Sequence, residues 1–132
     1  MPDLILLTSA EGALLLNKHI DKVGTLLRKA TVDTFSDLDK DPKTVSVFVL
    51  AHQGGDNVPL IQIIGIANWS FKRWLKLKKW KDLLAIAWND AVVATSIGCD
   101  QKDRLPIDKV HVWPIMPFGT WGLVSTIVSN IK

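Results

Sequence analysis

The sequence contains a single cysteine, Cys99, and a single glutamate, Glu11. One cysteine cannot close an intrachain disulfide and cannot build a zinc cluster by itself. With one glutamate and no carboxylate cluster in a buried segment, a two-metal nuclease centre is not expected. No apolar run is long enough to cross a bilayer. The stretch Met1-Pro2-Asp3 lacks the basic start and small-residue cleavage site of a signal peptide. A cytoplasmic chain in a reducing compartment is therefore expected. Neither G-x-x-x-x-G-K-S/T nor G-x-G-x-x-G occurs, which excludes nucleotide binding through those motifs. No cofactor and no metal is implied. There is no low-complexity tract, internal repeat or linker, so residues 1–132 are expected to form a single domain.

What is present fits a globular chain of 132 residues, 48 % of them apolar and 22 % charged, long enough to bury a core. The net charge of +3 conceals an asymmetry. Residues 1–60 carry six Lys/Arg against eight Asp/Glu, and residues 61–132 carry ten against five. Six of those ten cations fall between Lys72 and Lys81. The basicity is local, as expected of a surface patch.

Along the chain, Asp3 to Leu7 reads as a short buried strand running into Thr8-Ser9-Ala10-Glu11, a T-x-x-E capping box. Ala13, Leu16, Ile20, Val23, Leu27 and Ala30 then recur at helical spacing. Thr31 to Phe35 is a second strand candidate, and 36–43 is a polar connection. Thr44 to Ala51 predicts a central strand that closes in His52-Gln53-Gly54-Gly55-Asp56. Leu60 to Ala67 looks extended, folded as a small hairpin around Gly65. Ser70 to Asn89 predicts a helix with Trp74, Leu77, Trp80, Leu84 and Trp88 on one side. Ala91 to Gly98 reads as another buried strand, ending at Cys99. Lys109 to Trp113 alternates like a strand that Pro114 stops, and Phe118 to Ile131 suggests a closing helix. This order predicts an α/β fold: a three-layer α/β/α domain with a mostly parallel sheet. The C-terminal strand ends are its expected functional edge.

Two buried strands thus end in His52 and Cys99. If they are parallel neighbours, imidazole and thiol share one edge, where the imidazole can draw the proton from the sulfur. Gly54 and Gly55, with Gly98 and the Cys99 amide, would offer N–H groups to an oxyanion. A hydrophobic strand ending in histidine, a hairpin, a helix, and a second strand ending in cysteine 47 residues on resembles the caspase-like superfamily of cysteine peptidases, including CHAT-type domains. The V-H-V-W-P-I segment at 110–115 resembles their late strand. The resemblance implies a cysteine hydrolase acting on a peptide or protein, minimal or degenerate, with His52 as general base and Cys99 as nucleophile.

Other readings stand beside it. A buried cysteine commonly serves as a small hydrophobe, and a strand-end histidine as a turn residue. A non-catalytic binding module would use Thr8, Ser9, His52, Gln53 and Asp56 for a small ligand. Alternatively it would use Lys72, Arg73, Lys76 and Lys79 in F-K-R-W-L-K-L-K-K-W-K for an anionic partner such as nucleic acid. Against that, such a helix can bury its tryptophans on the sheet and leave its lysines in water. Finally, 48 % apolar residues and six tryptophans leave room for a homo-oligomer.

Overall fold

A computed structural model describes residues 2–35, 44–52, 61–68, 70–106 and 110–116. The strands are β1 (Asp3–Thr8), β2 (Ser46–Ala51), β3 (Ile61–Ile66) and β4 (Val110–Ile115). The helices are α1 (Ala10–Lys18), α2 (Ile20–Thr34), the single turn α3 (Phe71–Trp74) and α4 (Leu77–Ser96). A 3-10 turn spans Gln101–Asp103. The sheet order is β2-β1-β3-β4. β1 runs parallel to β2, β3 runs parallel to β4, and β1 meets β3 antiparallel. The expected α/β sheet, with two of its three pairings parallel, is what forms.

The order also divides the chain into two β-α-β halves that meet at β1 and β3. Each half returns to a parallel partner through helix, the usual crossover between parallel neighbours. The duplication is one of architecture and leaves the sequence itself without a repeat. The two halves share a succession of elements rather than a run of identical letters.

Alternation on β1 decides where the core lies. Leu4, Leu6 and Thr8 are buried, while Asp3, Ile5 and Leu7 are half-buried. The same face of β3 buries Ile61 and Ile63. Val23 and Leu27 of α2 and Trp80, Leu84 and Trp88 of α4 pack against that face in one core, and α2 lies along α4. At Gly65 the approach is so close that an added Cβ would stand 2.6 Å from the Trp80 ring. The Trp80 indole N–H donates to Thr31 Oγ1 at 3.0 Å, and Phe35 packs edge-on against the same ring at 4.9 Å between centroids. Of the two helical layers expected, the described residues supply this one; the closing helix at 118–131 lies outside them.

Several elements differ from expectation. The helix cap is Ser9, whose Oγ accepts from the Gly12 N–H at 3.1 Å, and Thr8 remains in β1. The long first helix is interrupted at His19. Thr31 to Thr34 ends α2 instead of forming a strand, with Thr31 and Thr34 hydroxyls donating to carbonyls four residues back. Residues 61–66 form one strand paired to β1, not a hairpin. Pro114 lies within β4 opposite Gly65, tolerated because β4 is an edge strand. The largest difference is that 91–96 is helix: α4 continues through Ala91 and Val92, both buried, to Ser96.

Candidate functional site

The C-terminal end of β1 and β2 does gather three expected residues. Thr8 pairs with Ala51, and the His52 N–H donates to the Thr8 carbonyl at 2.8 Å. Ser9 follows as the helix cap. His52 Nδ1 is buried and has no hydrogen-bond partner among the described residues. Beside this edge an open groove of about 250 Å³ is lined by Ser9, Glu11, Gly12, Leu15, Ile61, Lys102 and Pro106. Gln53, Gly54, Gly55 and Asp56 lie outside the described residues.

Cys99 does not end a strand. It follows the C-terminus of α4, where Gly98 takes φ +71° and the Cys99 N–H donates to the Ser96 carbonyl at 3.3 Å. That is a glycine helix stop, so Gly98 has a structural task there. The premise that placed His52 and Cys99 at the ends of neighbouring parallel strands therefore fails, and no His-Cys dyad is shown.

Of the basic segment, Lys72 and Arg73 lie in α3, Lys76 caps α4, and Lys79 lies in its first turn. Arg73 is turned inward: its guanidinium donates to the Asn68 carbonyl at 3.3 Å and stands 5.7 Å from the centroid of Phe35. Lys72 and Lys79 are exposed. The expected single tryptophan stripe splits. Trp80 and Trp88 are buried, whereas Trp74 is 52 % exposed.

The feature that sequence reasoning missed is the second face of the sheet. Register places Phe48, Ile5, Ile64 and Trp113 in one row across all four strands. Leu50, Leu7, Gln62 and His111 form the row on one side of it, and Ser46, Asp3, Ile66 and Ile115 the row on the other. No described helix covers these rows, and Phe48, Leu50, Trp113 and Ile115 are each about half exposed. The signal was in the sequence: strands such as L-I-L-L and S-V-F-V-L-A are apolar at odd and even positions alike, so both faces want cover. At the other end of β1, buried Pro2 accepts from the Ser46 N–H at 3.4 Å. Nearby, Arg28 Nε donates to the Val45 carbonyl at 3.0 Å.

No protein-family model matches the sequence, and no curated protein does. Solved structures do match in fold. The chain is similar to a wild-type fused 4-OT asymmetric trimer, with 13 % identity, 86 % of this chain and 85 % of that chain covered, and a TM-score of 0.52. Native Ps01740 aligns at 9 % identity over 90 % and 96 % of the two chains, with a TM-score of 0.48. Macrophage migration inhibitory factor of Toxoplasma gondii aligns at 8 % over 86 % and 88 %, with a TM-score of 0.43. The chain thus shares its fold with the subunit of that fused 4-OT trimer. This overturns the caspase-like reading, together with the cysteine-peptidase activity and the peptide substrate it implied. Among the described residues, no helix is long and apolar enough to cross a membrane.

Proposed function

We propose that the chain is the subunit of a homo-oligomer, a trimer by likeness to the fused 4-OT assembly, with the apolar sheet face buried between copies. The observation that carries this is the row Phe48–Ile5–Ile64–Trp113 and its flanking Leu50, Leu7, Ile66 and Ile115. Contiguous exposed apolar side chains on a sheet face mark association sites. Rows drawn from all four strands present a continuous face, so a copy docking there buries side chains from both β-α-β halves. Light scattering of the purified chain should give a mass near three times 14.7 kDa. Phe48→Asp or Trp113→Asp should reduce it to one chain, since a carboxylate in a packed apolar interface is strongly disfavoured. A wild-type chain that is monomeric at micromolar concentration would remove the proposal.

The chemistry proposed for this assembly is tautomerase-like: proton transfer within one small enolisable carbonyl compound. It is supported by the fold shared with the 4-OT trimer. Such a reaction needs a base that titrates near neutral pH. Pro2, buried at the mouth of β1 beside Ser46, can supply one when the bond from Met1 is cleaved. Its ring nitrogen is then a free secondary amine, and terminal amines titrate at about pH 8. Intact-mass measurement reads the cleavage. A rate of enol-to-ketone conversion that falls by about 10²–10⁴ in a Pro2→Leu chain shown by mass to retain Met1, which leaves no amine at position 2, supports the assignment. An unchanged rate removes it.

A further inference from the structure

The turn that joins β3 to α4 carries a surface that neither the sheet nor the proposed oligomer uses. Phe71, Trp74 and Leu75 are 62 %, 52 % and 63 % exposed. Phe71 and Trp74 lie at i and i+3 of the single turn α3 and Leu75 caps it, with exposed Lys78 following in the first turn of α4. Lys72, Lys79 and Lys81 are exposed as well, and residues 71–81 contain no acid. The helix that follows is anchored: in α4, Trp80 is fully buried with its indole N–H bonded to Thr31, and Leu84 follows it into the core. The turn α3 is also held from its start. Ser70 Oγ accepts from the Arg73 N–H at 3.1 Å, and the Arg73 side chain ties the turn to Asn68 and Phe35. α4 is thus rooted in the core, while the turn α3 that precedes it presents three large apolar groups among lysines.

We infer that Phe71, Trp74 and Leu75, with Lys72, Lys78, Lys79 and Lys81, dock this protein on the surface of an anionic lipid bilayer. An aromatic–aliphatic wedge with lysines around it matches the polarity gradient at a lipid headgroup boundary. There the apolar groups enter the acyl edge and the ammonium groups stay at the phosphates. Attraction of the lysines to an anionic leaflet supplies the second of the two signals that stable surface binding needs. Single-stranded nucleic acid fits less well. Leu75 offers no ring to stack on, and the Phe71 and Trp74 rings already stack on each other at 6.3 Å and 27°. Bases need open ring faces along the strand. Because α4 packs on the helix-covered face of the sheet, this surface remains outside the open rows and does not depend on the oligomer proposed above.

The test is co-sedimentation of the full chain with phosphatidylcholine vesicles with and without phosphatidylserine, at low and high salt, beside a single-stranded oligonucleotide binding assay. Binding should require phosphatidylserine, fall with salt, and weaken by about fivefold for each of Lys78→Gln and Lys79→Gln. Trp74→Ala with Leu75→Ala should weaken it by about tenfold or more at unchanged circular dichroism, because the inserted apolar area is lost. Failure of the wild-type chain to bind phosphatidylserine vesicles at low salt overturns the inference, whatever the variants do. So does vesicle binding that is indifferent to Trp74 and Leu75, or tighter binding to the oligonucleotide that Trp74→Ala abolishes.

Discussion

At the scale of single residues, the most constrained point is the contact between Gly65 and Trp80. The indole lies where a side chain at 65 would be, and the ring is fixed by Thr31 and Phe35. A rigid buried ring cannot retreat as the tip of a lysine can. Gly65→Ala is therefore expected to cost about 1–3 kcal/mol of folding stability, read from urea unfolding midpoints at constant slope. Thr31→Val preserves shape but leaves a buried indole N–H without an acceptor, a loss of about 1–3 kcal/mol. Asp103 is a milder case. The hydrogen bond from Lys18 Nζ at 3.0 Å holds its carboxyl below the ordinary value of 3.8, and His19 Nε2 donates to the same residue's carbonyl. A depressed carboxylate stabilises above its unfolded pKa and loses that contribution as pH falls through the folded one. The small stability gap between wild type and Asp103→Asn should thus be constant above about pH 4 and close below it.

At the scale of elements, α4 shows how a helix can be mistaken for a strand. A-V-V-A-T-S-I-G is rich in β-branched residues, which favour strands. Yet the stripe Trp80, Leu84, Ala87, Trp88, Ala91, Val92 continues without a break in helical spacing, and all six are buried. Packing against α2 outweighs the small propensity deficit of two valines. The true stop is Gly98 at φ +71°, with open space around it. Gly98→Ala should consequently cost about 1–2 kcal/mol through backbone conformation alone, and a thermal melt would show it with no change in core packing. The threonines at 31 and 34 make the same point at the end of α2: their hydroxyls satisfy helix carbonyls, so a β-branched pair closes a helix without disrupting it. At the third strand, the extended character of residues 61–66 was legible. Its partner was not, because pairing with β1 rather than with a hairpin mate is a long-range choice.

At the scale of the whole molecule, β order and register turn the four described strands into a sheet with one face covered and one half-exposed among the described residues. Oligomer formation and stability should be linked. If copies close the open face, the thermal midpoint of the wild-type chain should rise with protein concentration, and that of Phe48→Asp should not. A differential scanning measurement across a hundredfold range of concentration, by the mass-action relation, distinguishes the two. A midpoint that is flat for both proteins would count against burial of the rows Phe48–Ile5–Ile64–Trp113 and Leu50–Leu7–Gln62–His111.

By itself, the sequence determined that this is an α/β chain with hydrophobic strands, a Ser/Thr-led first helix, a local basic patch, and apolar residues on both faces of its strands. Each of those depends on neighbours a few residues apart, through periodicity, capping and charge. Tertiary structure alone decided that 91–96 is helix, that β3 lies antiparallel to β1, that Cys99 follows a helix instead of facing His52 from a strand end, and that Trp80 is buried while Trp74 is not. Those outcomes depend on which distant surfaces meet. Gly65 opposite Trp80 is 15 positions away, and Thr31 is 49. Burial against such partners outweighs the local preferences from which a sequence is read.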